Sequence, residues 1–322
     1  MQVRIDRRMV VRGGLGVGAA TVASVGPERF ALTQTPVADG VVVDTAFGEV
    51  IVPNDIRSVV VIEGRRDLDL ALSLDLPLAG YPEAEDVSAT SPLAAALAKA
   101  EDARPLFAED EPDLEAIIGV DPSLILSRDE ELEELWDRLS AIAPVLPVGS
   151  TATGVRWQDD LQMVAAATRR QDRERELLDA FATRAAEVKA SHADVWDKKV
   201  LPLSFSDENM QFLSTRLLSS TMTDLGVTFA SSGAEVAADG GRVEYSHEQV
   251  QAAVGDADAI VILVNEDEVF AQWLADPLWQ NVPAIQAGHY VRSDKHTHDG
   301  GPITAMHCLD VIDQMYETLK VS

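Results

Sequence analysis

Two uninterrupted runs of apolar, mostly β-branched residues constrain the fold of this chain more than any other feature of its sequence. Val59–Ile62 lies in the first half of the chain, and Ala259–Val264 lies in the second half. A strand exposed on one face alternates apolar with polar residues, whereas an uninterrupted run is typical of a parallel strand buried on both faces. Parallel strands are joined by crossover helices, so each half of the chain is predicted to be an α/β layer structure.

Strand and helix patterns alternate around both runs. In the first half, further strands are predicted at residues 41–45, 49–52, 76–80, 123–127 and 143–148, and helices at 67–72, 111–118 and 130–139. In the second half, further strands are predicted at residues 200–205 and 289–292, and helices at 213–225, 246–254 and 302–319. Residues 157–190 are almost entirely helical in pattern, with a polar interval at 168–172 that is suited to a break. We therefore predict an α/β fold of two Rossmann-like lobes with parallel sheets joined by one long α-helix: an N-terminal lobe at 34–156, a linking helix region at 157–190 and a C-terminal lobe at 191–322.

The first 33 residues carry the pattern of an export signal. Arg7 and Arg8 form a twin arginine, and Gly13–Ala23 is a short, weakly apolar run rich in glycine and alanine. A basic segment followed by such a run is typical of a secretory signal, and the paired arginines indicate the twin-arginine type. The run is too short for a bilayer-spanning helix of ~20 residues. Residues 1–33 are therefore predicted to direct export to the periplasmic or extracellular side of the cytoplasmic membrane, and an ordinary basic, disordered N-terminus is the alternative.

The charge balance excludes some classes of partner. The chain has 54 acidic residues against 26 lysines and arginines, which gives a formal net charge of −28. Nucleic acids and anionic membrane surfaces bind through basic residues that neutralise phosphates, so neither is an expected partner. Cys308 is the only cysteine, which rules out an intrachain disulfide and a cysteine-based zinc site. Lysine is scarce and arginine carries most of the positive charge, a pattern that fits a salt-adapted source or a GC-rich genome.

Six sequence blocks occur in an order that resembles a known family. They are PNDIRSVVV at residues 53–61, PDLEAIIGVDPSLIL at 112–126, LSAIAPV at 139–145, SHEQV with ADAIV at 246–261, DPLW at 276–279, and VPAI with GHYV at 282–291. Over about residues 50–320, the chain is similar to the periplasmic binding proteins of iron-siderophore and cobalamin importers, whose two lobes are joined by a single rigid helix. The block at 112–126 is the most specific of the six.

The resemblance implies a function without catalysis. It implies an extracytoplasmic substrate-binding protein of an ABC importer, which captures a ferric siderophore, delivers it to the membrane permease, uses no cofactor of its own and acts as a monomer. Cobalamin, haem or a free metal ion are the alternative ligands within the same class. A metal-dependent hydrolase that uses the loop of His296, His298 and Asp299 is the alternative from another class, although the sequence has no nucleophile elbow, phosphate loop or Cys-His pairing to support it.

Arginines at the carboxyl ends of predicted strands are the candidate ligand-binding residues. Arg128 follows a predicted strand of the first half, Arg216 comes soon after one of the second half, and Arg65 and Arg66 follow the first buried run. Ligands of open α/β sheets bind outside the carboxyl ends of the strands, so these side chains are expected to face the cleft between the lobes. The resemblance places ligand-binding arginines at Arg128 and Arg216. A guanidinium suits an anionic or oxygen-rich chelate because it stays charged and offers a planar fork of donors.

The loop after the last predicted strand and several aromatic residues complete the predicted site. His296 and His298 alternate in a polar loop, and direct metal ligation by this loop is one hypothesis. We favour a cleft rim with the imidazole of His298 near the ligand, because every histidine lies at position 192 or later and the first lobe therefore supplies none. Trp136, Tyr245 and Trp273 are predicted to form aromatic walls.

Two glutamates at matching positions of the two halves are the candidate docking residues. Glu115 and Glu248 each lie in a helix-to-strand block, one in each predicted lobe. The resemblance implies that such glutamates bind arginines of the importer's membrane subunits, and two exposed carboxylates suit a two-fold symmetric partner. The alternative is that each glutamate only stabilises the N-terminus of its own helix. The acidic segment 265–268 stands where catecholate-binding relatives carry a basic group, so a less charged chelate is expected.

Overall fold

The computed structural model describes residues 34–37, 39–83, 91–108, 111–149, 156–206, 209–293 and 295–320, so the predicted export signal lies outside the described residues. The described strands are β1 (Gln34–Val37), β2 (Gly40–Thr45), β3 (Gly48–Pro53), β4 (Val59–Val61), β5 (Leu78–Glu83), β6 (Arg104–Ala108), β7 (Leu124–Arg128), β8 (Val145–Val148), β9 (Val200–Phe205), β10 (Asn209–Leu213), β11 (Arg242–Ser246), β12 (Ala259–Leu263) and β13 (Tyr290–Ser293). The described helices are α1 (Arg66–Ser73), α2 (Ala94–Leu97), α3 (Leu114–Gly119), α4 (Asp129–Ser140), α5 (Trp157–Thr168), α6 (Gln171–Ser191), α7 (Leu217–Leu225), α8 (Ser231–Asp239), α9 (Val250–Val254), α10 (Asp267–Ala275), α11 (Pro277–Gln280), α12 (Pro283–Gln286) and α13 (Pro302–Thr318). None of these helices is both long enough and apolar enough to cross a membrane.

The main sheet of the first lobe is wholly parallel, with the strand order β6-β5-β4-β7-β8. Its central strand β4 is the buried run that the sequence predicts, and Val59, Val60 and Val61 are fully buried. Val59 and Val61 belong to the apolar core on one face of the sheet, and Val60 belongs to the core on the other face. The uninterrupted run therefore reflects burial on both faces, as expected for a parallel strand.

The sheet of the second lobe is mixed, with the strand order β11-β10-β9-β12-β13. β9, β12 and β13 are parallel to one another, whereas β10 is antiparallel to both β9 and β11. The predicted α/β fold class is confirmed. The sequence predicts parallel sheets in both lobes, whereas the sheet of the second lobe is only partly parallel. β10 and β11 are not predicted from the sequence. Burial alternates along both strands, so neither carries an uninterrupted apolar run.

A small antiparallel sheet of β1, β2 and β3 precedes these two sheets in the chain. The sequence predicts β2 and β3 around a turn at Gly48, whose φ of +108° favours glycine. Val43 and Val52 are fully buried, and both strands pack against α5. The sheet therefore supports the helix that begins the connection between the lobes.

Two consecutive helices connect the lobes. α5 ends before Arg169, which adopts the left-handed conformation with φ of +60°, within the polar interval that the sequence marks for a break. α6 is the long helix, and its 21 residues extend over about 32 Å. The division of the chain at residues 34–156, 157–190 and 191–322 remains a prediction.

Helix α13 ties the two lobes together. It follows the second sheet in the chain, yet it packs against α1 of the first lobe as well as against α6 and α7. A single apolar core contains residues of both lobes, such as Leu68 and Leu126 from the first and Val261 and Leu309 from the second. Separation of the lobes would expose this shared core to water, which the hydrophobic effect opposes.

A buried carboxylate of the first lobe caps α13. Asp69 of α1 is fully buried and accepts hydrogen bonds from the backbone N–H groups of Gly301, Ile303 and Thr304 at 2.9, 3.0 and 2.9 Å. It also accepts one from the hydroxyl of Thr304 at 2.7 Å. Burial raises the pKa of Asp69, and these donors act in the opposite direction. The N–H groups of a first helical turn have no partner within their own helix, so Asp69 supplies an acceptor that Gly301, at the N-cap, cannot provide.

Candidate ligand-binding site

The carboxyl ends of β4 and β7 bring together the predicted arginines of the first lobe. Glu63, Arg65 and Arg66 follow β4, Arg128 ends β7, and the two strands are parallel neighbours. The backbone N–H of Arg66 donates to Oε2 of Glu63 at 2.7 Å, and Nη1 of Arg128 lies 3.6 Å from Oε1 of Glu63. Because neighbouring parallel strands end at the same edge of a sheet, this edge presents three arginines around one carboxylate.

Asp299 of the second lobe is the carboxylate around which these arginines gather. It lies in the loop between β13 and α13. Nε and Nη2 of Arg66 donate to its Oδ1 at 3.1 and 2.5 Å, and Nη2 of Arg128 lies 3.0 Å from its Oδ2. The side chains of Arg66, Arg128 and Asp299 are only 12, 19 and 13% exposed. Partly buried ion pairs are screened less by salt than surface pairs, so these contacts join the two lobes at the candidate site.

Two further carboxylates border this cluster and have raised pKa values. Burial raises the pKa of Asp160 to about 7; Arg66, whose Nη1 lies 3.6 Å away, opposes this rise and Asp299 adds to it. Burial is also the main cause of the raised pKa of Glu63, to which Asp299 adds and which Arg128 opposes. Burial disfavours the charged form of a carboxyl group, and nearby carboxylates disfavour it further. The surroundings of Asp160 and Glu63 therefore stabilise the charged forms of these two carboxyl groups poorly.

Arg216 joins the cluster from the second lobe. It occupies the N-cap position of α7, forms no ion pair with a described carboxylate, and has a buried Nε without a hydrogen-bond acceptor among the described residues. Burial lowers the pKa of Arg216; Asp299 opposes this effect, while Arg65 and Arg128 add to it. A buried donor without an acceptor is costly unless a water molecule or a ligand supplies one. Arg216 is thus the arginine of the cluster that is best placed to serve a ligand.

A cleft with a volume of about 200 Å³ opens beside the cluster. Arg66 and Asp299 line it from the cluster, and Trp157, which is 5% exposed, lines it from α5. Hydroxyl groups line its second-lobe side, at Ser214, Thr215, Ser220, Thr221 and Thr223. The hydroxyl of Thr221 is buried and has no hydrogen-bond partner among the described residues. A cleft with guanidinium and hydroxyl groups suits an oxygen-rich ligand.

Sequence analysis misses several residues of this cleft. Trp157 is not among the aromatic residues predicted to line the cleft, yet it is both buried and at the cleft wall. The hydroxyl residues of 214–223 are likewise not predicted from the sequence. Ser214 and Thr215 precede α7, and Ser220, Thr221 and Thr223 lie within it, so all five hydroxyl groups belong to one helix and the turn before it.

Tyr245 and Trp273 are not among the described residues that line this cleft, and their role as an aromatic wall remains a prediction. Trp273 is 3% exposed in a separate apolar core of the second lobe, and its indole N–H donates to the backbone oxygen of Ser206 at 3.1 Å. The ring of Tyr245 packs against the same core, and its hydroxyl donates to a backbone oxygen of α8 at 3.5 Å. Trp136 stacks on Phe47 with the ring centroids 4.7 Å apart. Sequence position alone does not tell which side of a sheet an aromatic ring covers.

The histidine loop borders the cluster. Nε2 of His298 lies 2.9 Å from Oγ of Ser204 on β9, and the residue is 8% exposed. His296 lines a smaller space of about 10 Å³, together with Arg65 and Asp299. Within the described ranges, no group of three or more His, Cys, Asp or Glu side chains is arranged to hold a metal ion. Contact between His298 and a ligand remains a prediction.

Glu115 and Glu248 occupy matching exposed positions in the two lobes. Glu115 lies in the first turn of α3, which Asp113 caps. Glu248 lies in the 3₁₀ turn His247–Gln249 that precedes α9, and it accepts a hydrogen bond from the hydroxyl of Ser246 at 2.9 Å. A backbone N–H of this turn and the Ser246 hydroxyl lower the pKa of Glu248, which favours its charged form.

An exposed apolar side chain lies beside each of these glutamates. Ile118 is 57% exposed and lies one helical turn beyond Glu115 on α3. Leu278 is 41% exposed, and its backbone N–H donates at 2.6 Å to Asp276. The other carboxylate oxygen of Asp276 lies 2.6 Å from Nε2 of His247, the residue before Glu248. Each lobe thus presents a carboxylate next to an apolar side chain, a combination found in protein interfaces.

Two α/β lobes that share a core, are joined by a long helix and enclose a polar cleft define a solute-binding protein. The chain belongs to the periplasmic binding protein family, whose model matches residues 78–297.

Two curated proteins of Bacillus subtilis (strain 168) are similar to the chain. One is a probable siderophore-binding lipoprotein, YfiY, which is 28% identical over 225 residues that cover 66% of this chain and 68% of YfiY. The other is the Fe(3+)-citrate-binding protein YfmC, which is 27% identical over 190 residues that cover 58% of each protein. The chain therefore spans less than two thirds of the length of YfmC.

Solved structures show the same fold. The structure of Staphylococcus aureus SirA complexed with staphyloferrin B matches with a TM-score of 0.71 and 19% identity, covering 87% of this chain and 99% of SirA. The structure of Streptococcus pneumoniae PiaA in complex with ferrichrome matches with a TM-score of 0.64 and 22% identity, covering 86% of this chain and 99% of PiaA. At these identities the likeness establishes the fold.

Proposed function

We propose that this protein is the extracytoplasmic substrate-binding component of an ABC importer and that its ligand is a ferric siderophore. Membership of the periplasmic binding protein family and similarity to siderophore-binding and ferric-citrate-binding proteins support this function. The observation that carries the proposal is the convergence of Arg66 and Arg128 of the first lobe and Arg216 of the second around Asp299, which borders a cleft lined with hydroxyl groups. Charge-assisted hydrogen bonds from arginine suit the oxygen atoms of an iron chelate.

Capture of a ligand requires no reaction, so we propose that the protein is not an enzyme. The metal-dependent hydrolase alternative depends on His296 and His298, and the imidazole of His298 contacts Ser204 instead. Cobalamin, haem and a free metal ion remain as alternative ligands of the same class of protein. Direct binding measurements with each ligand distinguish these alternatives from a ferric siderophore.

Titration of the tryptophan fluorescence of the purified protein tests the proposed ligand. Trp157 lines the cleft, so a coloured ferric chelate that binds there is expected to quench its emission. Ferrichrome, ferric citrate, cobalamin, haem and ferric chloride provide the panel, and the Trp157→Phe variant identifies the quenching that arises in the cleft. Saturable quenching by a ferric chelate supports the proposal. Saturation by cobalamin or haem alone would contradict it.

We also propose that Glu115 and Glu248, with the neighbouring Ile118 and Leu278, form the surface that docks on the importer's membrane subunits. The two glutamates are exposed, one in each lobe, and at matching positions. A partner with a basic residue beside an apolar patch, repeated on two similar subunits, complements this surface in charge and polarity.

The double variant Glu115→Ala/Glu248→Ala is expected to bind its ligand normally but to lose uptake. Loss of one member of a desolvated charge pair in an interface commonly lowers affinity about tenfold or more, so uptake should fall by at least that factor. Uptake of radiolabelled iron is measured in the source organism, with the variant gene replacing the native one. Ligand affinity is measured on the purified variant.

The matched control is Glu133→Ala/Glu187→Ala, which removes two other exposed glutamates and the same charge. This control should leave uptake unchanged. Normal uptake with Glu115→Ala/Glu248→Ala would remove these residues from the docking surface, whatever the ligand.

We further propose that residues 1–33 are an export signal of the twin-arginine type, on the sequence pattern of Arg7, Arg8 and the apolar run that follows. The variant Arg7→Lys/Arg8→Lys is expected to keep most of the protein in the cytoplasm, because it preserves the charge and removes the paired guanidinium groups. Immunoblots of cell fractions provide the measurement, with Arg12→Lys as the control. Unchanged export of the double variant would show that the pair is not the signal.

A further inference from the structure

Asp299 occupies the position between two arginines where the anionic group of a ligand would be expected to bind. One of its oxygens accepts two hydrogen bonds from Arg66, and the other lies 3.0 Å from Arg128. Both arginines belong to the first lobe, whereas Asp299 belongs to the second. The protein itself therefore supplies the anion that pairs with these guanidinium groups.

Asp299 also borders both empty spaces next to the cluster. It lines the cleft of about 200 Å³ together with Arg66 and Trp157, and it lines the space of about 10 Å³ together with Arg65 and His296. Among the residues that the structure describes, only Asp299 lines both spaces. A ligand that enters the cleft therefore meets the Asp299 carboxylate beside Arg66.

The cluster contains carboxylates of the protein as well as arginines. The arginines are Arg65, Arg66, Arg128 and Arg216, and the carboxylates are Glu63, Asp160 and Asp299. With every group ionised, four positive charges face three negative ones, although the raised pKa values of Glu63 and Asp160 reduce the negative charge of those two groups. Asp299 contacts Arg66 and Arg128 directly, so these two arginines are already paired with a carboxylate of the protein, although by themselves they would suit a polyanionic ligand.

We propose that Asp299 is an internal counter-ion that selects ferric chelates of low net charge over polyanionic ones. The inference rests on the proposed function, because it assumes that the cleft captures a ferric chelate. A polyanion must either displace Asp299 from Arg66 and Arg128 or bind close to its charge in a partly buried site, where repulsion is weakly screened. A neutral chelate can bind through Arg216, Trp157 and the hydroxyl groups without competing for the anion position.

The variant Asp299→Asn tests this inference through the ratio of two affinities. Ferric citrate is the anionic probe and ferrichrome is the neutral one, and both are titrated by tryptophan fluorescence. The wild-type protein is expected to bind ferrichrome more tightly than ferric citrate. In Asp299→Asn the ratio of the two dissociation constants should shift about tenfold towards ferric citrate, as expected for removal of a unit charge ~10 Å away at an effective dielectric constant of ~20.

The variant Asp310→Asn is the control, because it removes the same charge from an exposed ion pair with Arg184 on the helices α13 and α6. This control should leave the affinity ratio unchanged. An unchanged ratio in Asp299→Asn overturns the inference, and so does a wild-type preference for ferric citrate, which requires no variant. Failure of the wild-type protein to bind either chelate, with binding of cobalamin or haem instead, overturns the proposed function and the inference together.

Discussion

Replacing Asp69 by alanine is expected to lower the free energy of unfolding by about 4 kcal/mol, because buried donors that lose their acceptor cost ~1–3 kcal/mol each and partial relaxation recovers some of that loss. Four of the donors are at the start of α13, namely the backbone N–H groups of Gly301, Ile303 and Thr304 and the hydroxyl of Thr304, and the fifth is the hydroxyl of Ser73 in α1. For a chain of this size, with an unfolding entropy of ~2.1 cal/mol/K per residue, the change corresponds to a fall in melting temperature of roughly 6 °C. Urea unfolding followed by circular dichroism, together with a thermal melt, provides the measurement.

The matched control is Asp113→Ala, which removes a cap from the exposed end of α3. Asp113 accepts hydrogen bonds from the backbone N–H groups of Glu115 and Ala116 at 2.9 and 3.1 Å. Water can replace the lost acceptor there, so the expected cost is about 1 kcal/mol. If Asp69→Ala and Asp113→Ala lower the free energy of unfolding by the same small amount, the capping of α13 by Asp69 is not the strong contact that its burial indicates.

Replacing Arg216 by methionine is expected to weaken the binding of a ferric chelate by about 10- to 100-fold, the range expected for loss of a hydrogen bond from a charged donor. Arg216 has a buried Nε without an acceptor among the described residues, so the ligand is expected to supply one. The same variant should leave the free energy of unfolding unchanged or slightly higher, because a half-buried cation that has no ion pair with a described carboxylate does not stabilise the fold. Fluorescence titration and urea unfolding of the same sample measure both effects.

Arg175→Met provides the control for Arg216→Met. Arg175 is paired with Asp172 on the exposed surface of α6, away from the cleft, and its side chain is 66% exposed. A surface pair of this kind contributes ~0–1 kcal/mol, so neither stability nor ligand affinity should change appreciably. Unchanged affinity in Arg216→Met would exclude Arg216 from the ligand site.

The sequence predicts the strands that are buried on both faces, because such strands carry an uninterrupted apolar run. Val59–Val61 and Ala259–Leu263 form the central strands of the parallel arrangement, and both are buried on two faces. β10 and β11 escape the same analysis because each is buried on one side only, and a short alternating pattern is weak evidence for a strand. The pattern therefore predicts the class of fold but not the mixed direction of the second sheet.

The sequence predicts the site residues that lie at strand ends, but not the contacts between residues that are far apart in the chain. The rule that ligands bind at the carboxyl ends of strands predicts Arg65, Arg66 and Arg128, because the residues at a strand end can be identified from the strand itself. The partnership of Arg66 with Asp299 joins residues 233 positions apart, and that of Asp69 with Thr304 joins residues 235 positions apart. No local pattern reports contacts at that separation, so the way the lobes are held together becomes visible only in three dimensions.

The cap on α13 and the core that both lobes share have a consequence for transport kinetics. Lobes joined in this way keep nearly the same separation with or without a ligand, so the empty protein would present the importer with almost the same surface as the loaded protein. Empty molecules would then compete for the importer. Uptake would saturate and decline once the protein outnumbers its available iron chelate, and the balance between its synthesis and the external iron supply would set the rate of import.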